Sequence, residues 1–363
     1  MKMLRFVAVR TLLGSIAFWL ETVDPGSHRR IKGIRLVTAF GLATLAAAHY
    51  ASSYSIQKGD ILSVLAGGFA LWGSVSEARS TRLESTRDLL LLALAAVAGA
   101  IVTAAMVPLV DFWGPSVSEI VLVLGAFLVG YLRRFGTTGA GIGSQFFIGQ
   151  LLAYGAGLTE DDVGLILISG AIAALASIIP RVLSGPSEHP AAPMAVPAVL
   201  PGRISPELAM GLQAATAALA LVVLSAMLGL AESIWAVTAG AYVVAGSMSG
   251  TRDRVRRRII GTAVGVPIAL AMLPAAIDYP LAIWAAAGLA MVIYAMALPE
   301  RYDIACGAYA YALVVTLAAT GEHSYTLLAA RLWETALGGM VGLLCATLVF
   351  PLKTTTDTLR HRM

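Results

Sequence analysis

The chain is a succession of apolar runs, each near the roughly 20 residues that carry a helix across a bilayer core, separated by short breaks that hold most of its charge. Only 13% of its 363 residues are charged and 58% are hydrophobic, against roughly 25% charged in an ordinary soluble domain. A water-soluble fold must wet its surface, and its interior is too small to hide this many apolar side chains. The pattern excludes a soluble enzyme, and no polar stretch is long enough for a separate aqueous domain.

Hydropathy places spans near 34–52, 60–76, 88–108, 117–132, 138–157 and 163–182. A second set follows near 210–229, 233–249, 259–275, 280–298, 304–320 and 327–350. Between the sets, prolines at 186, 190, 193, 197, 201 and 206 remove too many backbone donors for a regular helix. The expected organisation is an N-terminal segment 1–30, a six-helix unit 31–183, a Pro-rich linker 184–207, a second six-helix unit 208–352 and a tail 353–363.

Charge gives these spans a direction. With the N-terminus in the cytoplasm, all of the 25 Lys and Arg residues except Lys58 and Arg331 fall in inner segments or at their helix edges. The outer loops and edges carry acids instead, among them Asp60, Asp111, Glu119, Asp162, Asp278 and Glu322. This is a positive-inside distribution. It predicts an even number of spans with both termini cytoplasmic, and it reads the net charge of +4 as topology, not nucleic-acid binding. Residues 1–24 are too interrupted by Lys2, Arg5 and Arg10 to span. Met3, Phe6, Val7, Leu13, Ile16 and Leu20 recur at helical spacing, as in a helix lying in the membrane plane.

The two halves also resemble each other. Ala66-Gly67, Phe69, Gly73-Ser74, Ser76 and Arg79 match Ala239-Gly240, Tyr242, Gly246-Ser247, Ser249 and Arg252 at one constant offset. Arg134-Phe135 and Arg301-Tyr302 each precede a fifth span, and Pro180 and Pro351 each end a sixth. Six is even, so both halves enter and leave on one side. The repeat is therefore expected to be parallel, about an axis normal to the membrane.

Arg331 and Glu334 stand three apart on one face of the last span. Ions inside a membrane are costly and normally face a cavity or a partner. Arg331 could draw an anion and Glu334 take up a proton; the alternative is a structural ion pair, with Arg331 snorkelling outward. In the fifth span, the amides of Gln145 and Gln150 could bond a carboxylate, with Phe146, Phe147 and Tyr154 beside a flat ring. Interhelical amide bonds are the competing account. His49 near an outer helix end, and His323 in an outer loop, could titrate near neutrality or simply sit at the interface.

Gly136 to Gly143 lacks the lysine and the βα context of a phosphate loop, so its small residues read as close helix contact or a helix break. The cluster Arg252, Arg254, Arg256, Arg257 and Arg258 reads as topology and attachment to anionic lipid. Cys306 and Cys345 lie in apolar runs and read as small buried side chains. No nucleophile–base spacing or metal-ligand pattern appears, so neither enzymatic activity nor a cofactor or metal is expected.

The run Gly211-Leu-Gln-Ala-Ala-Thr-Ala217, with Ile234-Trp-Ala-Val237, Gly250-Thr-Arg252 and Arg257-Arg-Ile-Ile-Gly-Thr262, resembles the signature of the fusaric acid resistance protein-like family of bacterial inner-membrane proteins. Ile31 to Thr38 is similar to the corresponding start of the first half. The resemblance implies a proton-driven exporter of aromatic or other organic acids, and its plant relatives imply an anion channel as the alternative. Many family members carry a sizeable cytoplasmic domain, where this sequence has the Pro-rich linker between its halves. The expected protein is thus an all-α, multi-pass inner-membrane efflux permease with about twelve helices. Its partners would be an organic anion and anionic lipids of the cytoplasmic face. Homo-oligomers are allowed, nucleic acid is not expected, and a non-transporting scaffold is the remaining alternative.

Overall fold

The computed structural model describes residues 18, 20–78, 81–110, 118–184, 204–230, 233–298, 300–319 and 324–352. Segment 1–17, most of the linker, the tail 353–363 and His323 lie outside the described residues, and with them most of the expected in-plane helix. The protein is an all-α, polytopic membrane protein. Nine stretches among the described residues are long and apolar enough to cross a bilayer, and Ser233–Val243 and Tyr302–Ala318 are shorter apolar helices.

The first half comprises α1 (His28–Ser53), α2 (Gly59–Ser76), α3 (Arg82–Val110), α4 (Leu122–Tyr131), α5 (Gly136–Gly155) and α6 (Val163–Leu183). The second comprises α7 (Pro206–Leu228), α8 (Ser233–Val243), α9 (Met248–Asp278), α10 (Pro280–Ala297), α11 (Tyr302–Ala319) and α12 (Tyr325–Leu348). Local chemistry sets the breaks. Asp24 accepts the Arg29 and Arg30 backbone N–H groups at 3.1 and 2.9 Å and caps the start of α1. Ser205, Ser247 and Ser324 accept from the third residue onward at the starts of α7, α9 and α12. The α4–α5 turn needs the left-handed backbone of Gly136 (φ 71°).

Small residues line several of the close helix contacts, as expected where lipid is the solvent. In α1, Ala39, Ala43, Ala47 and Ala51 form one buried row, while Leu45 is 71% exposed. Helix α3 seats on α5 so closely that a Cβ at Gly149 would stand 1.9 Å from the Ala96 carbonyl oxygen. Helix α9 meets α11 in the same way, with 2.1 Å between a Cβ at Gly265 and the Gly307 carbonyl oxygen. Within the halves, α6 packs on α1, α2 and α3, and α12 on α7, α8 and α9. Across the halves, α4 packs on α7 and α10 on α1.

Polar contacts separate two ends of the bundle. At the basic end, Arg29 holds Glu300 at 2.6 Å, Lys32 donates to the Glu77 carbonyl at 2.6 Å and Arg257 to the Glu300 carbonyl at 2.7 Å. At the acidic end, Lys58 grips Asp162 at 2.7 and 2.8 Å, and the Ser233 hydroxyl donates to the buried Glu119 carboxylate.

Helix α8 departs from its sequence pattern. The apolar run extends to 249, yet the helix stops at Val243, and Val244 to Ser247 continue as non-helical chain in which Val244, Ala245 and Ser247 are buried. Eleven residues span only about 16 Å, half of a bilayer core. The freed backbone is satisfied inside the protein, as membrane depth requires. Arg133 and Arg254 donate to the Val244 carbonyl at 3.5 and 3.3 Å, and the Ala245 N–H donates to Thr251 Oγ1 at 3.0 Å. Hydropathy cannot register such a break, because the unwound residues remain apolar.

Candidate functional site

Helix α12 buries Leu328, Arg331, Glu334, Gly338, Gly342 and Cys345, a three-to-four spacing that puts both charges on its packed face. Two glycines on that face admit α8. A Cβ at Gly338 would meet the Ala236 carbonyl at 2.1 Å, and one at Gly342 the Gly240 carbonyl at 2.7 Å. These pairings run the two helices parallel and bring Trp235 to Arg331. The Arg331 guanidinium carbon lies 4.1 Å from the Trp235 ring centroid and 5.3 Å from that of Tyr309 on α11.

The aromatic contacts continue into the first half. Trp72 of α2 meets Tyr309 edge-on at 5.1 Å and Tyr294 of α10 edge-on at 6.1 Å, with Tyr294 and Tyr309 themselves 6.1 Å apart. A second contact joins the halves: Ser144 of α5 and Tyr242 of α8 share a 2.8 Å hydrogen bond, and Phe147 packs on Tyr242 at 5.8 Å.

Arg331 is 4% exposed and Glu334 fully buried, with Glu334 within electrostatic reach of the guanidinium. Stacking engages the face of the guanidinium and leaves its in-plane N–H groups needing acceptors. Nε and Nη1 of Arg331 are buried without a hydrogen-bond partner among the described residues. A buried planar cation with two unfilled donors, walled by aromatic rings, can accept an anionic oxygen beside a flat apolar body.

The other residues singled out from the sequence lie elsewhere. Gln145 and Gln150 are both fully buried on α5 and spend their amide N–H groups on Ser76 Oγ and the Val121 carbonyl, each at 2.9 Å. Phe146 and Tyr154 are half-buried, Tyr154 against the α4, α7 and α8 packing. His49 is exposed on α1, and its carbonyl accepts from Ser52. In the basic cluster, Arg258 turns inward to the Tyr302 hydroxyl at 3.3 Å. Tyr309, Trp72 and Tyr294 carry no signal of their own in the sequence, and Trp235 stands out there only within the family-like run Ile234 to Val237. The spacing of Tyr302 and Tyr309, two turns apart on one helix face, was the available signal.

Among the described residues no group of three or more His, Cys, Asp or Glu could hold a metal ion, and both cysteines are free and buried. No curated protein and no solved structure matches the chain. A fusaric acid resistance protein-like domain is detected over residues 217–345, a stretch that begins within α7, ends within α12 and includes Trp235, Tyr309, Arg331 and Glu334.

Proposed function

We propose that the protein is an inner-membrane efflux permease for organic, chiefly aromatic, carboxylic acids. The observation that carries this reading is Arg331: a buried guanidinium with two unfilled in-plane donors, stacked on Trp235 and facing Tyr309. A buried donor without an acceptor costs about 1–3 kcal/mol, and more when it is charged. An arriving carboxylate relieves that cost, while the rings accept an aromatic body. Glu334, one turn deeper, is the group proposed to exchange the coupling proton.

The transport architecture in this reading is twelve spans in two parallel six-helix repeats, with both termini cytoplasmic. The packing supports it. Contacts of α3 with α5, α2 with α6 and α3 with α6 recur as α9 with α11, α8 with α12 and α9 with α12. The two cross-half contacts, α4 on α7 and α10 on α1, exchange under the same operation. So do the Trp72–Tyr309 and Tyr242–Ser144 pairs, which join α2 to α11 and α8 to α5. Alternating access then consists of one half rocking on the other across these aromatic contacts. The cytoplasmic assignment of the basic end rests on the positive-inside rule.

The test is electrical. Purified protein in proteoliposomes on a solid-supported membrane is challenged with benzoate- and fusarate-like acids, with and without a pH gradient, beside Glu334→Gln. The expected result is substrate-dependent current with accompanying proton movement, the coupling being lost in the variant. Gradient-independent anion conductance would replace the carrier by a channel. No signal from folded protein across a broad acid panel would overturn acid export and leave the scaffold.

A further inference from the structure

Away from the central site, a groove of about 320 Å³ opens on the outer face of the second half. Its walls are Ile260, Val264 and Ile268 of α9 and Ala290 and Ile293 of α10, and Gly307 of α11 forms part of its lining. The groove has a local cause. Helices α9 and α11 meet backbone to backbone through Gly261, Gly265 and Gly307, which leaves a furrow beside their contact. Its outer wall is wet by lipid: Ile260, Val264 and Ile268 are 45%, 54% and 50% exposed.

We infer that this groove holds one acyl chain of an anionic phospholipid, whose headgroup phosphate is bound by Arg256 at the basic end. Successive residues four apart form one ridge of a helix, so Arg256 continues the line of Ile260, Val264 and Ile268 by one turn, at headgroup depth. Arg256 is exposed and makes no hydrogen bond or ion pair among the described residues. Its neighbours are already engaged: Arg257 pairs with Asp253 at 2.8 Å, and Arg301 with Asp303 at 2.9 Å.

The groove itself asks for nothing polar. Its polar side chains are Asp303, held by Arg301 at the basic mouth, and Tyr311, whose hydroxyl bonds Met272 Sδ at 3.5 Å. The wall from Ile260 to Ile268 runs about 12 Å along α9. An extended hydrocarbon fits that shape, each buried methylene adds to its retention, and basic sites at helix ends select anionic headgroups.

Native mass spectrometry of the purified full chain, titrated with phosphatidylglycerol or with phosphatidylcholine of the same acyl chains, tests the inference. The expected result is one phosphatidylglycerol retained in preference to phosphatidylcholine. Arg256→Gln should weaken it about fivefold, the effect of one juxtamembrane cation. Val264→Trp and Ile268→Trp each fill the groove and should cut occupancy, whereas Leu45→Trp on the lipid face of α1 should not. Thermal unfolding of each variant confirms that it is folded. Equal retention of the two lipids, or equal effects of the groove and α1 substitutions, would reduce the site to bulk annular lipid and overturn the inference. So would a stabilisation by glycerol phosphate alone that equals that of the intact lipid, since the groove would then be idle.

Discussion

The Arg331 guanidinium lies over the Trp235 ring at 4.1 Å, so a helix that supplies the charge and a helix that supplies the aromatic face meet at one point inside the bundle. A buried arginine without the ring loses its favourable contact, and the ring without the cation is one more apolar side chain. The glycine-mediated approach of α12 to α8 makes the pair geometrically available.

This pairing predicts that Arg331→Lys does not rescue function. Lysine keeps the charge but cannot stack as a plane or offer a two-pronged edge. Substrate-induced current should fall at least about tenfold, with Trp235→Leu producing a comparable loss, since a desolvated cation–π contact is worth about 2 kcal/mol. Concentration–response curves for both variants measure it. Undiminished transport by Arg331→Lys would reassign Arg331 to a charge-only or structural role.

Tyr242→Phe removes the 2.8 Å bond to Ser144 and keeps the ring packed on Phe147. The loss in thermal stability should match one neutral hydrogen bond, about 1 kcal/mol. If the two halves rock across this contact, the turnover rate changes while the concentration giving half-maximal current does not. A shift in that concentration with unchanged turnover would place Tyr242 in substrate binding instead.

Glycine substitutions should divide sharply by position. Gly149→Ala and Gly265→Ala drive a methyl group into a neighbouring carbonyl and should destabilise by about 1–3 kcal/mol. Gly41→Ala has nothing within 4 Å and removes helix-interior glycine, so it should be neutral or stabilising by up to about 1 kcal/mol. Unfolding temperatures in one detergent compare all three.

Lys58 and Asp162 clamp the acidic end of the first half. The lysine is 47% exposed, so solvent screening holds the pair to about 1 kcal/mol or less. Lys58→Met should lower the unfolding temperature by about a degree or less and abolish the salt dependence of that part of the stability. No effect at low salt would show that the pair contributes nothing net.

Much of the helical layout is legible in one dimension, because hydrocarbon imposes a length and a composition on any segment that crosses it. The helices begin and end within a few residues of most apolar runs, and α2, drawn at 60–76, spans Gly59–Ser76. The early end of α8 is not legible, since Val244 and Ala245 are as apolar unwound as wound; arginines from α4–α5 and α9 decide it by taking the freed carbonyl. Glu119, read from the sequence as an acid at the outer edge of a span, is buried against Ser233 for a similar reason: its partner comes from the other half of the chain.

The same division holds at the site. Sequence spacing puts Arg331 and Glu334 on one face of α12, because helical periodicity is local. It says nothing of Trp235, Tyr309, Trp72 and Tyr294, which come from four other helices and converge only through packing. The sequence by itself determined the solvent, the class of fold and the placement of Arg331 and Glu334 on one face of the last helix. Tertiary structure alone decided that both are buried and what they face, because contacts between distant helices depend on which small residues let their backbones approach.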